Sequence, residues 1–436
     1  MKLTINQVMK AAPGAVYMPV GSPSTEVDGA FVDSRDVVEG AMFVGLRGET
    51  QDGGHYAPDA LRRGAAAAVV GESTWRWLEG DLRAIGKPVL VAASPLEVLQ
   101  AGGRLALERV GAQVVAITGA TGKTTTKDIL VAMLRAAGVR VEGTPGNRNT
   151  EVGVPMSLMA LAEDTQIAVV EMGMRGLGQI AELARLAPPD VGCITSIGPV
   201  HLELLGTVQN VAAAKFELIT SLKPGSTAVV PADEPLLREL LRSLSSHVRV
   251  AEFGDAPTIN LNMNLSTTWQ LRCAAAALEC CRALGRMPQE GATIDVALSA
   301  LRGNIRSLAV GGTLIEDCYN ANPIAMHAAL ADLSGREGRR VAVLGDMMEL
   351  GRDEAVYHRE IGAAAVAAGV DLVIGVGTRA TAYIEGAAGV ETAYFATVDD
   401  AVAGVGEHLR TGDVVLLKGS RSMALERIAA VIAADH

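Results

Sequence analysis

The chain has 436 residues, 49% of them hydrophobic and only 3% aromatic, with 38 basic and 49 acidic groups giving a net charge of −11. That length suits two to three domains, each with a core of Ala, Val, Leu and Ile. The acidic balance excludes a general attraction to nucleic acid or to anionic membranes, so an anionic substrate has to be gripped locally by basic side chains and backbone N–H groups.

The N-terminal stretch, MKLTINQVMKAAPG, carries no long apolar run and no cleavage signal, and no later segment has the length to span a bilayer. Five cysteines (Cys193, Cys273, Cys280, Cys281 and Cys318) are odd in number and lack CxxC spacing, which suggests neither a disulfide framework nor a zinc site. A soluble protein of the reducing cytoplasm is expected. Up to about residue 93 the apolar runs Ala41–Leu46, Ala65–Val70 and Pro88–Ala92 read as strands, and Pro95–Val110 reads as a helix. Strands follow at Val114–Thr118, Ile167–Met172, Val191–Ser196, Thr227–Pro231 and Val248–Phe253. Around residue 308 the pattern restarts, with strands at Thr313–Asp317, Arg340–Leu344, Leu372–Val376, Thr392–Ala396 and Val414–Lys418. Helical stretches alternate with these runs, so the expected fold is α/β with mostly parallel sheets in three domains, 1–93, 94–307 and 308–436. In such sheets ligands bind beyond the carboxyl ends of the strands.

The strongest chemical signal is Thr118-Gly119-Ala120-Thr121-Gly122-Lys123-Thr124-Thr125, between the strand ending at Thr118 and a helix over Thr124–Ala137. Glycines let backbone N–H groups wrap phosphate oxygens, and the helix N-terminus adds positive potential. Lys123 would reach the β and γ phosphates and the Thr124 hydroxyl would ligate Mg²⁺. Ile117 stands where the common GxxxxGK[ST] pattern has its first glycine, and a glycine turn with Lys123 in solvent is the plainer alternative. Such a loop does not choose between kinase, GTPase, motor and ligase, although the absence of NKxD weakens the GTPase option.

Two strand-end residues, Glu171 and His201, fall on the same sheet edge as candidates for metal or phosphate contact. As a hard oxygen donor, Glu171 suits magnesium better. The segment Thr207–Leu222 reads as a helix with the apolar stripe Val208, Val211, Ala212, Leu218, Ile219 and Leu222, and Lys215 lies in the middle of that stripe. Burial would favour its neutral amine, which takes up CO₂ to form a carboxylate-like carbamate. A lysine snorkelling from the stripe's edge fits the pattern equally well.

TGxxGK[ST] at Thr118–Thr124, TPGNRNTEVGVP from Thr144, EMGMRGLGQI from Glu171, GPVHLELLGT from Gly198, AAKFELI from Ala213, DCYNANP from Asp317, VLGDMMELG from Val343 and LKGSRSMALE from Leu417 together resemble the Mur ligase family. The match runs over nearly the whole chain. DxYNANP with LGDMxELG resembles the branch that adds D-alanyl-D-alanine to UDP-N-acetylmuramoyl-tripeptide. The resemblance implies an N-terminal domain for the UDP end of the precursor, with Ser34 and Arg35 as contacts. It also implies a central ATP-binding, P-loop ATPase-like domain and a Rossmann-like C-terminal domain. ATP and two Mg²⁺ ions are the implied cofactors, with Thr124, Glu171, His201 and a carbamylated Lys215 as metal ligands. Asn147 is the implied contact near the γ-phosphate, and Asp317 and Asn320 reach the nucleotide and hinge. Lys418, Ser420 and Arg421 lie where the dipeptide or acyl phosphate is approached. A monomer is expected. A weakly active paralogue or a sibling ligase are the alternatives, motivated by a shortened stretch after Phe253 and by Trp269 and Cys273, which stand where the family commonly has His and Asn of His-Gln-x-x-Asn.

Overall fold

The computed structural model describes residues 2–244 and 247–434. Three sheets carry the α/β architecture. In the first domain the strands run in the order Val16–Met18, Val89–Val91, Ala67–Val70, Met42–Val44, Ala30–Phe31. The first pair is antiparallel and the rest are parallel. The three expected strands form the middle of this sheet. Its edge strands are only two or three residues long, too short to show a period of two.

Helix Pro95–Val110 has the span expected. Ser94 caps its N-terminus, proline occupies the first turn, and Gly111 ends it in the left-handed conformation at φ 69°. It packs against helix Gly153–Met159 of the central domain. A Cβ on Gly103 would come within 2.7 Å of Pro155 Cα, so the glycine is what lets the helices approach so closely.

The central sheet is wholly parallel, in the order Arg249–Phe253, Thr227–Pro231, Val191–Ile194, Gln113–Thr118, Ile167–Glu171, Val141–Gly143. Alternate residues feed two separate cores. Val114 and Ala116 pack with Ile180, Leu218 and Ile219, whereas Val115 and Ile117 pack with Ile129, Leu134 and the Ala-rich helix Thr268–Ala283. Register places Ile117 opposite both Glu171 and Cys193. The loops after three adjacent strands therefore leave the sheet at one level, and the site is built there. After Phe253 the chain makes only a small parallel pair, Asn262–Met263 with Thr293–Ile294.

The C-terminal sheet begins at Asn304, slightly before the point where the apolar pattern restarts. Its order is Asn304–Ser307, Gly312–Glu316, Asp413–Lys418, Arg340–Gly345, Leu372–Val376, Glu391–Phe395, with only the first strand antiparallel.

Candidate active site

The strand Gln113–Thr118 delivers the chain into a loop containing Gly119 (φ 156°) and Gly122 (φ 85°), and the helix Lys123–Ala136 starts immediately after. The amides of its first turn have no intrahelical acceptor and face outward as anion donors. The neighbouring strand's loop fixes this shape. Ser196 O accepts from Ala120 N (2.9 Å) and Ser196 Oγ from Thr121 N (3.0 Å). The Thr195 hydroxyl donates to Thr121 O at 2.6 Å. A Cβ on Gly119 would collide with that hydroxyl. Lys123 curls back so that its Nζ donates to Gly119 O at 2.9 Å, and burial lowers its pKa against the pull of Glu171. Thr118 Oγ1 is buried without a partner. Thr125, the last of the expected loop residues, is buried at the start of the helix.

At the end of the next strand Glu171 is buried, and both its oxygens are engaged. Thr124 Oγ1 donates to Oε2 at 2.7 Å, and Asn149 Nδ2 donates to Oε1 at 2.7 Å. A hydroxyl and a carboxylate held side by side at the mouth of a phosphate loop form a hard-oxygen donor pair that suits Mg²⁺ alongside phosphate oxygens. Among the described residues no group of three or more His, Cys, Asp and Glu side chains surrounds a metal position.

Lys215 is a buried lysine on which Lys123 acts electrostatically. It is 2% exposed on helix Val208–Thr220, among Val211, Ala212, Leu218 and Ile219. Among the described residues no hydrogen bond or ion pair reaches its Nζ. Burial drives its pKa well below that of an ordinary lysine, and the nearby Lys123 pushes the same way. The side chain does not snorkel outward, because it is buried. His201 lies within electrostatic reach of both lysines. Its backbone is left-handed, with φ 54°, uncommon outside glycine. Its Nδ1 pairs with Glu349 Oε2 from the C-terminal domain, and burial, with the two lysines, lowers its pKa although Glu349 raises it.

Other expected residues are placed differently. Asn147 is exposed, and Asn149 of the same TPGNRNT segment is the residue that touches Glu171. Asp317 and Lys418 pair with each other, Nζ to Oδ2 at 2.6 Å, and Lys418 also donates to Asn320 O at 3.1 Å. Buried Ser420 accepts from Met348 N at 3.0 Å, and exposed Arg421 binds Glu426 at 2.6 Å. In the first domain Ser34 is buried. Exposed Arg35 donates to Asp33 through Nε at 2.9 Å, which holds the Asp33 carboxyl at about 2.

Two residues that the sequence reading did not single out, Asn322 and Arg302, act on the phosphate loop. Asn322 Nδ2 reaches Ala120 O at 3.5 Å. Arg302 stacks over Tyr319 at 4.0 Å and acts electrostatically on Lys123, with its own Nε buried and unpartnered. Trp269 and Cys273 lie directly on Gly122, where a Cβ would meet them at 3.0 and 3.1 Å. Burial pushes the Cys273 thiol up to about 12.

Family models agree with this layout. The Mur ligase middle domain matches residues 117–274, the Mur ligase glutamate ligase domain residues 302–421, and the Mur ligase family catalytic domain residues 26–98. UDP-N-acetylmuramoyl-tripeptide–D-alanyl-D-alanine ligase of Bacillus subtilis (strain 168) is 30% identical over 454 residues, covering 98% of each chain. The chain belongs to the Mur ligase family. The same-named protein of Synechocystis is 33% identical to this Mur ligase over 437 residues, 95% of this chain and 94% of that one. MurF from Acinetobacter baumannii matches it with a TM-score of 0.85 at 27% identity, covering 99% and 98% of the two chains. The MurF ligase of Thermotoga maritima in complex with ADP matches with 0.77 at 27% identity, over 93% and 97%.

Proposed function

We propose that this Mur ligase joins D-alanyl-D-alanine to UDP-N-acetylmuramoyl-tripeptide at the expense of ATP, acting as a monomer in the cytoplasm where ATP is supplied. The observation that carries the reading is the meeting of a phosphate loop and the Thr124–Glu171 oxygen pair on one sheet edge, with the buried Lys215 in electrostatic reach of Lys123. The relatives named above support the choice of substrates.

In the first step a terminal carboxylate oxygen of the peptide attacks the γ-phosphorus. The bond from phosphorus to the β-bridging oxygen breaks, and ADP leaves with the electron pair. Lys123 and the helix N-terminus neutralise charge on the transferred group, and little covalent chemistry falls to the protein. In the second step the dipeptide's amine adds to the acyl carbon. The carbon–oxygen bond then breaks, and phosphate departs with the original carboxylate oxygen while the amine loses a proton. Mg²⁺ ions, two in this reading, would be held by Thr124, Glu171, His201 and Lys215, and would neutralise phosphoryl charge. Lys215 would serve as its carbamate, its neutral nitrogen adding to CO₂ with loss of a proton. Ser34 and Arg35 would meet the UDP end, and Asn147, Asn149 and Arg302 would face the phosphates. Asp317 and Asn320 would order the hinge, while Lys418, Ser420 and Arg421 would line the dipeptide's approach. Domain boundaries near 93 and 307 serve this division of labour.

Purified protein should release phosphate only when ATP, the UDP-tripeptide and D-alanyl-D-alanine are all present. Release with a single amino acid in place of the dipeptide would assign a sibling activity, and nucleotide binding without turnover would contradict catalysis.

A further inference from the structure

His201 and Glu349 are two of only four non-glycine residues with positive φ among the described residues, at 54° and 63°. They belong to different domains and they face each other. His201 Nδ1 pairs with Glu349 Oε2, Leu202 N donates to Glu349 O at 2.9 Å, and Arg175 approaches Glu349 Oε1 at 3.5 Å. A Cβ on Gly351 would stand 3.5 Å from the backbone of Leu202 and Glu203. Left-handed residues that bear a side chain are strained and persist where the surroundings over-determine them. Here each holds the other across the domain junction. With Nδ1 turned to Glu349, Nε2 is the ring nitrogen left free, on a ring within electrostatic reach of Lys215 and Lys123. A carboxylate on one imidazole nitrogen fixes the tautomer and aims the other nitrogen at a metal.

We propose that Glu349 is a positioning residue that presets His201 for metal only while the C-terminal domain is docked, so that assembly of the metal site is conditional on domain closure. This rests on the metal-ligand role given to His201 above. The carboxylate touches neither substrate nor metal. It acts by holding the Nδ1–H tautomer and the ring plane, and separation of the domains releases both.

The test uses full-length protein and needs no turnover. Long-range ¹H–¹⁵N correlation spectra of the metal-free protein report the His201 tautomer, with the signal assigned by its loss in His201→Gln. Electron paramagnetic resonance titration with Mn²⁺ in the presence of ADP reports metal affinity. Wild type should show His201 protonated on Nδ1. Glu349→Ala should lose that preference and bind Mn²⁺ about 10- to 100-fold more weakly, with its circular dichroism spectrum unchanged. Glu349→Gln, whose amide oxygen still accepts from Nδ1–H, should recover much of both. In turnover the alanine variant should lose kcat while KM for ATP holds. A wild-type tautomer and wild-type Mn²⁺ affinity in Glu349→Ala would overturn the proposal, as would tighter Mn²⁺ binding, which would make Glu349 a blocker. Absence of ligase turnover in wild type would count against the proposed reaction and leave these two readings to stand or fall separately.

Discussion

The buried Lys215, with Lys123 pushing its pKa down further, has no partner among the described residues to hold its proton. The folded-state pKa of Lys215 lies well below the ordinary lysine value of 10.5, so between the two values the unfolded chain binds the extra proton. Stability is then lost as pH falls from 10.5 toward the folded pKa, and the loss is complete below it. Lys215→Met removes this penalty at nearly constant volume. Its unfolding free energy in CO₂-free buffer should exceed wild type at neutral pH, and the gain should shrink as pH rises toward 10.5. Its ligase rate should fall more than about 100-fold, beyond what loss of a residue supporting a ligand costs. Urea titrations at neutral and alkaline pH check the first outcome and phosphate release the second. The asparagines give a paired comparison. Asn149 donates to Glu171 at 2.7 Å and Asn147 is exposed. Asn149→Ala should therefore weaken Mn²⁺ binding about 10-fold or more, and Asn147→Ala should weaken it less. Equal effects would return Asn147 to the centre of the site.

Among the elements, the phosphate loop depends on the strand beside it. Gly119→Ala drives a methyl into Thr195 Oγ1, so Thr195 has to give up its bonds to Thr118 O and Thr121 O. We expect ADP affinity to fall at least about 10-fold with the fold intact, by calorimetry and circular dichroism, because one displaced hydrogen-bonded hydroxyl costs on the order of 1–3 kcal/mol. This loop was legible in the sequence because its cues are contiguous: strand, glycines, Lys-Thr and helix. Helix Pro95–Val110 was legible because Ser94, Pro95 and Gly111 mark its ends. Strands such as Val141–Gly143 and Asn262–Met263 were not, since two or three residues carry no periodicity and parallel neighbours fix them. The Lys215 pattern showed an apolar stripe but not whether its long side chain would leave it, a question that packing decides. Asn149 lay within a recognised segment, yet which asparagine turns inward is set by the approach of Gly173, whose Cβ would meet Asn149 Oδ1 at 2.8 Å.

At the scale of the whole molecule the site is a junction. Its donors come from the central sheet edge, the C-terminal domain adds Asn322 at Ala120 and Glu349 at His201, and Arg302, stacked on Tyr319, acts on Lys123. None of these cross-domain partners follows a local pattern, because their spacing is set only when two sheets dock; His201 and Glu349 are 148 residues apart. In the proposed mechanism the same docking would exclude water from the acyl phosphate and so favour the amine over hydrolysis. The central claim is that the peptide's own carboxylate is phosphorylated on this edge. UDP-tripeptide carrying ¹⁸O in its terminal carboxylate, turned over with ATP and D-alanyl-D-alanine, tests it by mass spectrometry of the released phosphate. The account predicts one ¹⁸O transferred to phosphate in each turnover, and phosphate released without the label would contradict it.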